Sequence, residues 1–135
     1  MSRGLAESER DQLLQEPLTA VLATERREGG VHAVPVWYLY QGGELRVITG
    51  RDSVKLKNAV RSGRATLCIP SSQSGDLRYV TAEGPIRVEP CSSEDRRRLW
   101  AHYTDEATAD AMAAADLSGL CLLILTPQRW TATSE

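Results

Sequence analysis

Two lysines, Lys55 and Lys57, stand in the stretch ITGRDSVKLKN (48–58), just past an alternating apolar run. A strand that hands over to a helix here presents free backbone amides and a partial positive charge, a setting that suits phosphate. Thr49 adds a hydroxyl from the strand end, and Lys55 in the first turn supplies a full charge. Residues two apart do not share a helix face. The two lysines therefore cannot both point inward: one grips the anion while the other reaches round the rim or faces water. Taken alone, KLKNAVRSGR also reads as an ordinary wet, basic helix face.

Other reactive groups are sparse. The chain has two histidines, His32 and His102, neither in a Ser, Cys or carboxylate arrangement that suggests a triad. No H-E-x-x-H or other metal spacing occurs, so no metal is expected. Cys68, Cys91 and Cys121 are odd in number and lack a C-x-x-C pair, which argues against both a zinc site and a disulfide framework. Cys68 and Cys121 sit in apolar runs and read as small hydrophobes. Arg96, Arg97 and Arg98 form a charge run that reads as solvated. The catalytic residue, if there is one, is not identified by type or spacing.

The elements that must position the lysines follow from pattern. At 135 residues the chain is expected to be one domain, residues 1–135, large enough for its own core. A weak amphipathic helix over 5–15 ends at Pro17. LTAVLAT (18–24) is β-rich, and VHAVPVWYLY (31–40) is apolar on both faces, as in a strand covered on both sides. Pro35 within it donates no ladder hydrogen bond, which fits an edge or a bulge. ELRVIT (44–49) returns with period-two alternation after a Gly pair. Asp52 or Ser53 can cap a helix over VKLKNAVRS, with Gly63 at its exit. RATLCIP (64–70) is a strand, SSQSGD (71–76) a polar loop, and LRYVTAEGPIRVEP (77–90) a long strand interrupted at Gly84-Pro85. A helix is expected over 92–115 with a break near Thr104-Asp105, and LCLLILTP with RWTAT forms a final strand that continues or bends after Pro127. Roughly six strands on short turns, with helices inserted, predict a mainly β fold built as one antiparallel barrel.

Composition narrows the partners. A net charge of -2 argues against general nucleic-acid binding. MSRGLAESERDQLLQ contains no apolar signal segment, and LCLLIL is too short to span a bilayer. A soluble protein of a reducing cytoplasm, with no membrane partner, is the expectation.

HAVPVWYLYQGGELRVITGRDSVKLKNAVRSGRATLCI (32–69) resembles the pyridoxamine-phosphate-oxidase-like, FMN-binding split-barrel family. It looks most like the branch of flavin- and deazaflavin (F420)-dependent oxidoreductases. The matching order is a strand ending in PVWY, a Gly turn, a strand ending in Ile-Thr, then S-x-K-x-K-N opening a short helix. LATERREGGVHAVPV before it and YVTAEGPIRVEP after it also fit.

The resemblance implies a six-stranded antiparallel split β-barrel that pairs as a homodimer, with FMN or F420 at the dimer interface and a small-molecule substrate. By position, His32, Val34, Pro35, Val36 and Trp37 would line the ring, partly through backbone groups. Ile48 and Thr49 would sit near the ribityl and phosphate, and Ser53, Lys55 and Lys57 would bind the phosphate. Tyr79, Thr81 and Trp130 would face the pocket from the partner subunit. Trp37 reads equally as core. His32 reads better as a satisfied histidine than as a base. Val54 departs from the pattern, since many relatives carry a second cation there; Arg51, Arg61 and Arg64 are candidates to compensate, or plain surface arginines. A flavin-type cofactor carries the hydride chemistry itself, so the lack of an acid, base or nucleophile suits an oxidoreductase. It suits equally a non-catalytic protein that binds or sequesters a flavin, F420 or haem.

Overall fold

The computed structural model describes residues 2–72 and 75–135, so part of the loop expected over 71–76 lies outside the described residues. Apolar residues at every second position build the strands. In β2 (Ala20–Glu25), Ala20, Leu22 and Thr24 are buried; in β5 (Glu44–Gly50), Leu45, Val47 and Thr49 are. β6 (Arg64–Ser71) buries Ala65, Leu67 and Ile69, and β8 (Leu120–Leu125) is buried from Cys121 onward. With no Phe in the chain, leucines dominate the interior, joined by Ile69, Val80 and the fully enclosed Tyr38.

The described residues form nine strands rather than the expected six, all paired antiparallel. β1 (Arg3–Gly4) was not foreseen, because two residues carry no periodicity; it pairs with β9 (Arg129–Ser134), a separate strand rather than a continuation of β8. The segment 31–40 divides into β3 (Val31–Val36), which pairs with β2, and β4 (Leu39–Gln41), which pairs with β5. At the division Tyr38 donates its backbone N–H to the Tyr103 hydroxyl (3.2 Å) instead of to a strand. The strand path is β3-β2-β6-β7-β8-β5-β4, with β7 spanning Arg78–Pro90. Its two end strands are joined covalently through Trp37 and Tyr38, and among the described residues no ladder closes the path into a barrel.

β7 is not interrupted at Gly84-Pro85. It runs unbroken but changes partners there: Arg78 to Glu83 pair with β9, and Ile86 to Pro90 pair with β8. One strand thus belongs to both halves of the sheet.

β3 also differs from expectation, because it is not covered on both sides. Val34 and Val36 pack toward the core, while Val31, Ala33 and Pro35 are exposed. Val31 is 63% exposed. Pro35 lies opposite Val21, which lies opposite Cys68, which lies opposite Thr81. Directly paired residues share a face, so an outward row of small and apolar side chains crosses four strands.

Among the described residues, four helices complete the fold. α1 (Glu7–Leu14) buries Leu13 and Leu14. α2 (Val54–Ser62) starts at the Ser53 cap and ends at Gly63, whose φ of 74° gives the left-handed exit that a residue with a Cβ resists. The long helical segment breaks into α3 (Ser93–Tyr103) and α4 (Glu106–Ala114), and Asp105 starts the second by accepting from the Thr108 N–H at 2.7 Å. α2 is held down by a buried polar contact: Asn58 donates to Thr24 Oγ1 at 3.3 Å and accepts from Arg61 at 3.0 Å. We expect Asn58→Leu to cost about 1–2 kcal/mol in chemical denaturation, because it leaves the buried Thr24 hydroxyl without its partner. An unchanged denaturation midpoint would show the contact to be dispensable.

Among the described residues no helix is long and apolar enough to cross a membrane, and no cluster of His, Cys, Asp or Glu suits a metal.

Candidate functional site

A cleft of about 310 Å³ opens where the β3–β4 link, the end of β5, the start of α2 and one face of α3 meet. That volume lies at the lower end of the range for small-ligand pockets. One wall is Pro35, Val36 and Trp37; Ile48 on β5 and Leu120 on β8, which lies opposite Gly50, form the floor. Lys55 reaches in from the first turn of α2, half-buried. The opposite wall belongs to α3: Arg96, Leu99 and Trp100.

The junction is organised by its own hydroxyls. Thr49 Oγ1 and Ser53 Oγ lie 2.9 Å apart, and Ser53 Oγ accepts from the Leu56 N–H at 3.3 Å as the helix cap. Two hydroxyls carry two protons, and their mutual bond uses one. One donor therefore stays available beside the free amides of the first helical turn. Lys57 is exposed and lies outside the cleft, as the two-residue spacing requires. Arg51 braces the floor by donating from its side chain to Ser118 O (3.0 Å) and from its backbone to Gly119 O (2.9 Å).

α3 meets the cleft through helical periodicity. Arg96, Leu99, Trp100 and Tyr103 fall at i, i+3, i+4 and i+7, on one face. Trp37 stacks on Tyr103, with ring centres 4.4 Å apart and planes 3° from parallel, and meets Trp100 edge-on at 5.1 Å. The Tyr103 hydroxyl donates to Leu18 O at 2.6 Å. Burial pushes its phenol above the ordinary tyrosine range, so it remains a neutral donor. The other two arginines of the run turn the opposite way and pair with Glu94 at 2.8 and 3.0 Å, holding its carboxyl down at about 2. Among the described residues no carboxylate lies within ion-pair distance of Lys55 or Arg96.

Of the residues singled out from sequence, the cleft gathers Pro35, Val36, Trp37, Ile48 and Lys55; Thr49 and Ser53 join each other at the same strand–helix junction but are not part of its lining. Val34 packs into the core. His32 faces inward opposite Thr24, its Nδ1 buried without a partner. Tyr79 and Thr81 lie on the outward face of β7, the same face as Pro35. Trp130 lies on the core side, between the Arg10 guanidinium at 4.1 Å and Tyr40 at 6.1 Å, away from the cleft. Sequence reasoning missed Arg96, Leu99, Trp100 and Leu120. The spacing of the first three in the helix 92–115 was the available signal.

A family model described as Pyridoxamine 5'-phosphate oxidase matches residues 6–134. The chain belongs to that family. Solved structures of the same fold surround this member of the pyridoxamine 5'-phosphate oxidase family. A conserved hypothetical protein from Mycobacterium tuberculosis has a TM-score of 0.78 at 22% identity, over 96% of this chain and 85% of that one. A protein described as an F420 reductase has a TM-score of 0.74 at 20% identity, over 89% and 94%. An FAD and haem binding protein from Mycobacterium smegmatis has a TM-score of 0.75 at 20% identity, over 99% and 73%. At these identities the likeness is one of fold. No curated protein is a significant match in sequence.

Proposed function

We propose that this chain binds FMN or the deazaflavin F420 in the cleft, acts as a homodimer, and is an oxidoreductase that moves a hydride to or from a small organic substrate. The observation that carries the proposal is the position of Lys55, an ammonium without a carboxylate partner among the described residues, at the end of an apolar, aromatic-walled cleft. The donor set suits such a cofactor. Lys55, the spare hydroxyl proton of the Thr49–Ser53 pair and the first amides of α2 would hold the phosphate. Pro35, Val36 and Trp37 would flank the ring and exclude water. The cofactor, when bound, supplies the hydride chemistry, which accounts for a site without an evident acid, base or nucleophile.

The dimer is supported by the outward row of Pro35, Val21, Cys68 and Thr81, which begins at the cleft wall and, among the described residues, stays exposed at Pro35 and Val21 and half-exposed at Cys68 and Thr81. Tyr79 and Thr81 share that face, so a second copy seated on it is positioned to offer them to the cleft. A second reading, that the protein binds or sequesters a flavin, F420 or haem without turnover, fits the same site equally, since a binder needs no group to move a proton. The fold neighbours include both an F420 reductase and a haem-binding protein.

Titration of the purified protein with FMN and with F420, followed by fluorescence, tests the cofactor. We expect micromolar or tighter binding of one of them, weakened about ten-fold to a hundred-fold by Lys55→Ala, the cost of losing one charged contact. Identical curves for wild type and variant would remove Lys55 from the site. Reoxidation of the reduced cofactor by added acceptors then separates the two readings: enzyme-dependent acceleration favours the oxidoreductase, and none across a broad acceptor set favours the binder.

A further inference from the structure

We propose that Arg96 supplies the second cation of the anion grip, reaching across the cleft from α3 so that the phosphate of the ligand is held between two helices, by Lys55 on one side and Arg96 on the other. The proposal rests on the cofactor reading above and adds to it a residue from a different element.

Both side chains line the same cleft, and neither has a carboxylate partner among the described residues. Two like charges that share a partly desolvated cleft raise its energy, and an anion between them removes the cost. Helix geometry sorts the three arginines. Arg97 and Arg98 lie three and four residues beyond Glu94 and both bind it, whereas Arg96 shares its face with Leu99 and Trp100. On α2 itself the residue before Lys55 is Val54, which is 53% exposed and has no charge to give.

The other cations near α2 are already engaged. Arg51 donates to Ser118 O, Arg61 to Asn58 Oδ1 and Glu25 O, and Arg64 to Gln128 Oε1. Lys57 faces solvent. Among the described residues that leaves Arg96 as the other cation lining the cleft with Lys55. An arginine suits this place because its planar fork can bind two phosphate oxygens at once.

The test compares ligands that share a ring but differ in the anionic tail, with FMN against riboflavin isolating the phosphate. Wild type, R96Q, K55Q and R97Q are titrated with FMN and riboflavin, and in parallel with F420 and its phosphate-free deazariboflavin core. Thermal melts confirm that each variant is folded. We expect R96Q to weaken the phosphorylated ligand about ten-fold and leave the phosphate-free ligand unchanged, with K55Q behaving alike and R97Q like wild type. Raising the salt concentration should weaken wild type more steeply than R96Q. If R96Q binds the phosphorylated ligand as tightly as wild type while K55Q does not, Arg96 is no part of the grip and the cofactor reading stands. If R96Q weakens both ligands of a pair equally, Arg96 acts on the ring or the cleft wall and the proposal is overturned. If wild type binds none of the four, the cofactor reading fails and takes this one with it.

Discussion

Gly84→Ala should lower the melting temperature by roughly 10 °C or more, corresponding to about 3 kcal/mol of stability at this chain length. A Cβ at position 84 would lie 2.1 Å from Thr126 O and 3.0 Å from Gln128 N. Both are backbone atoms, so no rotamer change relieves the overlap. They are also held in place: Thr126 N–H donates to Pro85 O at 3.0 Å, and Gln128 N–H donates to Glu83 O at 2.9 Å. The turn between β8 and β9 thus crosses directly over the residue at which β7 passes from one half of the sheet to the other. Moving that turn disturbs the pairing of β7 with both strands. Circular dichroism melts of wild type and variant give the answer, and a difference under about 2 °C would mean that the crossing is softer than its geometry indicates.

Tyr103→Ala should cost about 3 kcal/mol and also weaken cofactor binding, whereas Tyr103→Phe should cost about 1–2 kcal/mol and spare most of the binding. The hydroxyl satisfies Leu18 O and the Tyr38 N–H, in the link where β3 becomes β4. The ring carries the stack against Trp37 and fixes α3 over the cleft. Phe keeps the stack and loses the bonds; Ala loses both, and the wall formed by Arg96 and Trp100 loses its anchor. Denaturant titration and cofactor titration on the same samples separate the two effects. Equal binding by the Ala variant would show that α3 keeps its place without the tyrosine.

The same residue sets a pH dependence. Burial raises the Tyr103 phenol, and that of Tyr38 as well, above the value each has in the unfolded chain. A raised folded pKa means that stability is fully present below the unfolded value, about 10, and is lost as pH climbs beyond it. The alkaline loss should therefore shrink in Tyr103→Phe.

Much of the fold was legible because its signals are local. Ser53 and Gly63 mark the two ends of α2 within a few residues of the helix they bound, and both stand where the sequence places them. The alternation in ELRVIT and RATLCIP is set by which side chains must leave water, and it survives in β5 and β6. Even the break at Thr104-Asp105 follows from a capping carboxylate. The division of 31–40 was not legible. VHAVPVWYLY is apolar throughout, and nothing within it says that Tyr38 gives its N–H to a tyrosine far along the chain.

The candidate site divides in the same way. Sequence by itself determined that a capped helix start carries a lysine and two hydroxyls at the end of an apolar strand, because caps, turns and periodicity act over three or four residues. Only the tertiary structure decided which side chains stand opposite that lysine. The arginine run offers three equal charges on paper; packing of α3 against the β3–β4 link turns one of them to the cleft and leaves two with Glu94. Distance along the chain carries no information about such a meeting, since it is burial of Leu99 and the stacked rings, not local backbone preference, that sets where the helix lies.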